Sequence, residues 1–148
     1  MSDTIVIRDL EKRDLKGVLE LLSHLTSAPE LSQKELEEVH IRRELAGVRT
    51  RVAVCSTTQK IVGTASLIVE PKFTHGGKCV GHVEDVVTHP NCRGQGIGRD
   101  LLSSLVEVAR TCNCYKVVLD CREDMVEYYS KAGFTKSENQ MRLNIAPQ

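Results

Sequence analysis

Val83-Glu84-Asp85-Val86-Val87-Thr88-His89-Pro90-Asn91-Cys92-Arg93-Gly94-Gln95-Gly96-Ile97-Gly98-Arg99-Asp100-Leu101-Leu102 decides how this chain is read. A β-branched run leads into a short turn, a loop with glycine at every second position, and the start of an amphipathic helix. Such a loop leaves backbone N–H groups free and lets a ligand approach the main chain. The helix behind it adds a partial positive charge at its first turn. Together these predict a site for a phosphate or pyrophosphate. Two glycine-rich designs fit badly. A P-loop needs Lys-Ser/Thr after its last glycine, and here Gly98 is followed by Arg99-Asp100. A dinucleotide fingerprint needs G-x-G-x-x-G, and Arg99 stands at the third glycine. A glycine-rich turn that only lets strand and helix pack closely is the bland alternative.

A third design, Arg/Gln-x-x-Gly-x-Gly/Ala, is matched in full by Arg93-Gly94-Gln95-Gly96-Ile97-Gly98. After an apolar strand and opening a helix, this pattern resembles the acetyl-CoA loop of the GNAT superfamily of N-acetyltransferases.

The 148 residues fit one ordinary domain with a single core. Twenty basic and 20 acidic residues balance, which argues against broad nucleic-acid binding but leaves room for a local basic pocket. No Trp is present and aromatics make up 3%, so base-stacking platforms are not expected. No apolar run is long enough to span a membrane. Met1-Ser2-Asp3-Thr4-Ile5 is no secretory leader, and Ala146-Pro147-Gln148 is no peroxisomal Ser-Lys-Leu signal. A reducing setting is expected, the cytoplasm by default with an internal organelle as the alternative, in which Cys55, Cys79, Cys92, Cys112, Cys114 and Cys121 are mostly free thiols. His89-x-x-Cys92 and Cys112-x-Cys114 lack paired zinc-module spacing, so no metal is expected.

Hydropathy patterning predicts a strand over Thr4 to Arg8 and a helix from Asp14 to Leu25. Ser32-Gln33-Lys34-Glu35 is a capping box for a second helix, ended by Gly47. Arg51 to Cys55 and Ile61 to Val69 read as a hairpin over Thr57 to Lys60. Cys79 to Thr88 is a long strand, followed by the glycine loop and a helix to about Cys112. Tyr115 to Asp120 is a buried strand, Asp124 caps a short helix ending at Gly133, and Phe134 onward reads as a last strand. The order is that of a single α/β domain with a mixed sheet. It is also the order expected of the GNAT fold, in which two central strands splay apart and admit the pantetheine arm.

Gly81-His82-Val83-Glu84-Asp85-Val86, Asn113-Cys114-Tyr115-Lys116-Val117-Val118-Leu119-Asp120-Cys121 and Tyr128-Tyr129-Ser130-Lys131-Ala132-Gly133-Phe134 narrow the resemblance to the glucosamine-6-phosphate N-acetyltransferases. That resemblance implies acetyl-CoA as co-substrate, a sugar phosphate as acceptor and a homodimer with a shared acceptor site. It assigns Val86, Val87 and Thr88 to the pantetheine amides and Arg93, Gly94, Gln95, Gly96, Ile97, Gly98 and Arg99 to the pyrophosphate. Asp120 lies near both ligands. Thr26, Lys72, Phe73, Thr74, His75, Glu84, Asp85, Val86, Tyr115, Lys116 and Arg142 line the sugar phosphate site, and Tyr129 stabilises the leaving thiolate.

The side-chain chemistry is consistent with this. Lys72, Lys116 and Arg142 can counter a phosphate dianion, or simply be solvated surface cations. Glu84 and Asp85 are adjacent in a strand and point to opposite faces unless a bulge re-aims one. A carboxylate within a strand is costly without a partner, so a site role is favoured over a structural ion pair. Direct attack of a neutral amine on the thioester is expected, with Tyr129 as proton donor to the thiolate. Glu84 through water, Asp120 and backbone carbonyls are candidates for the base. Tyr128 is read as packing. Another small amine or a protein amine as acceptor, and a non-catalytic CoA-binding sensor, are the competing functions.

Overall fold

The computed structural model describes residues 3–147. Met1, Ser2 and Gln148, on which the terminal-signal readings partly rest, lie outside the described residues. Along the chain run β1 (Ile5–Asp9), α1 (Leu15–Leu22), α2 (Gln33–Leu45), β2 (Val48–Cys55), β3 (Ile61–Pro71), β4 (Cys79–Thr88), α3 (Ile97–Thr111), β5 (Cys114–Leu119) and α4 (Val126–Lys131). The sheet order is β1-β2-β3-β4-β5, antiparallel except for the parallel β4–β5 pair.

Strict alternation in β2 builds the core on both faces. Ala53 and Cys55 join the cluster under α3, while Val52 and Val54 pack against Val18 of α1. The α3 stripe Ile97, Leu101, Leu102 and Leu105 is almost fully buried. Each such side chain contributes roughly 1.5–3 kcal/mol. The Ser32–Glu35 capping box forms, with Ser32 Oγ accepting from Glu35 N at 3.1 Å and Glu35 Oε2 accepting from Ser32 N at 2.8 Å.

Asp14 does not cap α1. Its carboxylate takes a bidentate grip from Arg8, at 2.6 and 3.0 Å, and accepts from Glu11 N at 2.7 Å. Helix α1 ends at Leu22 rather than Leu25, in overlapping turns over Ser23 to Thr26. The β2–β3 hairpin is longer than expected, because Val48 to Thr50 pair with Ile68 to Ser66. Asp124 lies in a 3₁₀ turn (Glu123–Met125) ahead of α4 and pairs with Arg122. Gly133 does end α4, at φ 96°, where the bonds Phe134 N to Tyr129 O and Gly133 N to Ser130 O form a Schellman motif.

The expected last strand from Phe134 is absent. Residues 134–147 pair with no strand, and Met141, Leu143 and Ile145 are 93, 88 and 96% exposed. The period-two apolar pattern is present, but no strand among the described residues pairs with it.

Candidate active site

Val83 and Leu119 are the last register partners of β4 and β5, yet β4 runs on to Thr88. From Glu84 to Thr88 the outer edge of β4 therefore has no strand beside it. Val86 is half-buried against the α3 cluster, Val87 is buried and Thr88 half-buried. Their backbone polar groups border a gap between the strands, where an extended amide-bearing chain can take the place of a missing strand.

The glycine loop closes one end of this gap. Gly94 and Gly96 hold φ 82° and 78°, which L side chains rarely adopt. A Cβ on Gly94 would meet open space, while one on Gly96 would come within 2.8 Å of Arg99 Nη2. Gly96 is the N-cap of α3 and supplies no side-chain hydrogen bond. The helix thus presents free N–H groups and its positive end to the loop. Arg93 and Arg99 flank it. These features fit a diphosphate. Gly98 has a different reason to be glycine, since a Cβ there would collide with the Tyr128 hydroxyl.

A bulge separates the two acids. Ser66 pairs with Glu84 and Thr64 with Val87, so Asp85 and Val86 stand opposite Ala65 alone, and Asp85 adopts φ 52°. Such a conformation costs roughly 1–3 kcal/mol and is typical of functional sites. The bulge cancels the expected opposition of the two side chains. Glu84 shares the face of Ser66, and both Ser66 and Asp85 border a cavity on the α1–α2 side.

Glu84 reaches solvent, yet partial burial pushes its carboxyl above the ordinary glutamate range. The charges of Asp85 and Asp120 add to this, and that of His82 opposes it. Asp120, just past the end of β5, thus joins the same acidic cluster and accepts from Gln140 Nε2 at 2.9 Å. Gln140 carried no signal in the sequence.

Tyr129 packs against the α3 cluster and edge-on to Phe134. Burial, with Tyr128 and Cys121 nearby, raises its hydroxyl above the usual tyrosine value and keeps it a proton donor. Burial also raises Tyr128, with Arg99 opposing. The Tyr128 hydroxyl packs against Gly98 in the first turn of α3.

The residues expected on the acceptor side lie in two places. Two cavities meet at Asp85, one of about 150 Å³ between α1, α2 and the sheet and one of about 330 Å³ under α1 and the α1–α2 connection. Thr26 lines the larger one, while Arg43 donates to Thr50 and Ser66 at 3.0 and 2.9 Å beside the smaller. Near the β3–β4 connection, His75 stacks on Tyr115 at 3.9 Å, Lys116 lies 5.6 Å from the same ring, and Thr74 bonds His75. Lys72 is held by Glu70. Phe73 is fully exposed, and Arg142 stands exposed on the C-terminal segment without an ion pair among the described residues. No group of three or more His, Cys, Asp or Glu among the described residues could hold a metal, and all six cysteines are free. None of the described helices is long and apolar enough to cross a membrane.

The acetyltransferase (GNAT) family model matches residues 15–134. The chain is 49% identical to a glucosamine 6-phosphate N-acetyltransferase of Trypanosoma brucei brucei, over 94% of this chain and 95% of that one. It is 38% identical to a probable glucosamine 6-phosphate N-acetyltransferase of Oryza sativa, covering 95% and 87%. A Trypanosoma brucei acetyltransferase structure superposes with a TM-score of 0.93 at 48% identity, covering 96% and 100%. The glucosamine-6-phosphate N-acetyltransferase structure from Arabidopsis thaliana gives 0.91 at 31% identity, covering 97% and 100%.

Proposed function

The chain belongs to the acetyltransferase (GNAT) family, and we propose that it moves the acetyl group of acetyl-CoA to the amine of glucosamine 6-phosphate. One observation carries this reading. Glu84 and Asp120 converge where β4 leaves β5, beside the free edge at Val86, so an amine base and a strand-edge donor share one point.

Acetyl-CoA supplies the activated acyl group. The loop from Arg93 to Arg99 grips its diphosphate, and the edge of Val86, Val87 and Thr88 pairs with its pantetheine amides. A backbone N–H at Val86 polarises the thioester carbonyl, and such a donor is worth roughly 10²–10³ in rate. Glu84, through water, takes the proton from the attacking amine. Its raised carboxyl suits that task better than an ordinary glutamate would. Tyr129 donates to the departing thiolate. Near-attack positioning of both substrates contributes roughly 7–11 kcal/mol.

Lys72, Tyr115, Lys116, Thr26 and Asp85 form the acceptor side, with the cations toward the phosphate. The acting form is a homodimer. Its support is the alternation of exposed Met141, Leu143 and Ile145, an apolar row that another copy would cover. Arg142 rides on that row and serves the acceptor side in such an assembly.

A thiol-release assay with glucosamine 6-phosphate, glucosamine and a lysine peptide tests the acceptor. The phosphorylated sugar should be used far better than the other two. Turnover of the peptide alone would overturn the assignment.

A further inference from the structure

We propose that Glu70 is a positioning residue that ties the acceptor loop to the acid-bearing strand, holding Lys72 toward the acceptor's phosphate and His82 in one tautomer beside Glu84. The phosphate half of this inference rests on the sugar-phosphate reading above.

Glu70 lies at the end of β3. Its Oε2 accepts from Lys72 Nζ at 3.1 Å, and its Oε1 lies 2.9 Å from His82 Nε2. One carboxylate is thus shared between a cation on the loop after β3 and an imidazole on β4. An ionised carboxylate has no hydrogen to give, so Nε2 carries the proton and donates it. Hydrogen bonds from His82 first, then Lys72, hold the Glu70 carboxyl below the ordinary range, and the pair therefore meets a charged acceptor.

The strand geometry links this clamp to the reacting end of the site. His82 pairs with Ile68 and Glu84 with Ser66, two residues apart on each strand and ahead of the bulge, so His82 and Glu84 share one face. His82 is the charge that opposes the upward push on Glu84, against Asp85 and Asp120. The groups facing Glu70 are Lys72 and His82. At the loop end, Lys72 spends one of three N–H groups on Glu70 and keeps two for a phosphate. Its backbone N bonds Lys78 O at 3.1 Å, which closes the loop beneath it.

Steady-state kinetics and histidine NMR test the proposal together. In Glu70→Ala, the KM for glucosamine 6-phosphate should rise roughly tenfold, as expected for a displaced binding group. The KM for acetyl-CoA and for unphosphorylated glucosamine should stay put. The double variant Glu70→Ala/Lys72→Met should bind the phosphorylated sugar no worse than Lys72→Met alone, because both changes remove one interaction. Additive losses, or a lower KM in Glu70→Ala, would overturn the proposal, since Glu70 would then only neutralise Lys72. The ¹⁵N shifts of His82 should report the Nε2–H tautomer in the wild type and a mixture in Glu70→Ala. A wild-type Nδ1–H tautomer would overturn the clamp. If the wild type ignores glucosamine 6-phosphate, the acceptor assignment is what fails, and the tautomer still decides whether Glu70 fixes His82.

Discussion

Val83 faces Leu119 across the last rung between β4 and β5, and beyond that rung the two strands part. The site follows from this break. It leaves the β4 edge unpaired and brings Glu84 within electrostatic range of Asp120.

Tyr129→Phe should lower turnover by roughly 10²-fold or more while acetyl-CoA affinity is kept, because only the thiolate donor is lost. Tyr128→Phe should act differently, through its contact with Gly98, and weaken acetyl-CoA binding more than turnover. Initial-rate kinetics on both variants separate the roles. An unchanged rate in Tyr129→Phe removes that residue from the chemistry.

Glu84 should set the acid limb of the pH–rate profile. Its carboxyl is raised by burial and by two neighbouring acids, so activity should fall below a midpoint above the ordinary glutamate value. The stability sign is opposite to that of an ion-paired acid. A folded value above the unfolded one favours the fold at low pH, and that benefit is lost as pH rises through the folded value. Glu84→Gln should therefore raise the melting temperature at neutral pH while cutting turnover roughly 10²–10⁴-fold. A variant that is both slower and less stable would count against this assignment.

Asp14 behaves in the reverse sense. Burial alone would raise its carboxyl, but the hydrogen bonds from Arg8 and Glu11 N and the charge of Arg8 hold it below the usual range. Its contribution is present above the unfolded value and is lost as pH falls through the folded one. Arg8→Met should cost about 2–4 kcal/mol at neutral pH, since Asp14 is left buried and unpaired. The gap between variant and wild type should shrink in acid. Denaturant melts at neutral and acid pH give both numbers.

Leu143→Asp should shift the protein toward monomer in sedimentation velocity, because it places a charge in the exposed apolar row Met141, Leu143 and Ile145. Turnover should fall with assembly. A wild type that is monomeric throughout would remove the dimer and the role of Arg142.

The sequence exposed those parts of the fold that depend on local pattern. The Ser32–Glu35 capping box, the Cys79–Thr88 strand and the Gly133 stop all stand where their chemistry puts them. Residues set by tertiary contact were harder to read. Asp14 read as the first residue of a helix, but its carboxylate is held by Arg8 of β1. The Asp85 bulge depends on the register with β3, which single-strand alternation does not contain. Glu70 and Gln140 carried no motif, because their partners His82 and Asp120 come from distant segments. The segment after Phe134 has the apolar period of a strand but pairs with no strand among the described residues.

Calorimetric titration of acetyl-CoA against the folded protein tests the central claim most directly. Binding at one site per chain should be clear in the wild type. It should be strongly weakened by Gly96→Ala, which forces a side chain onto a backbone at φ 78° and against Arg99. Folded wild-type protein that takes up no acetyl-CoA, or a Gly96→Ala variant that binds it as well as the wild type, would contradict the account.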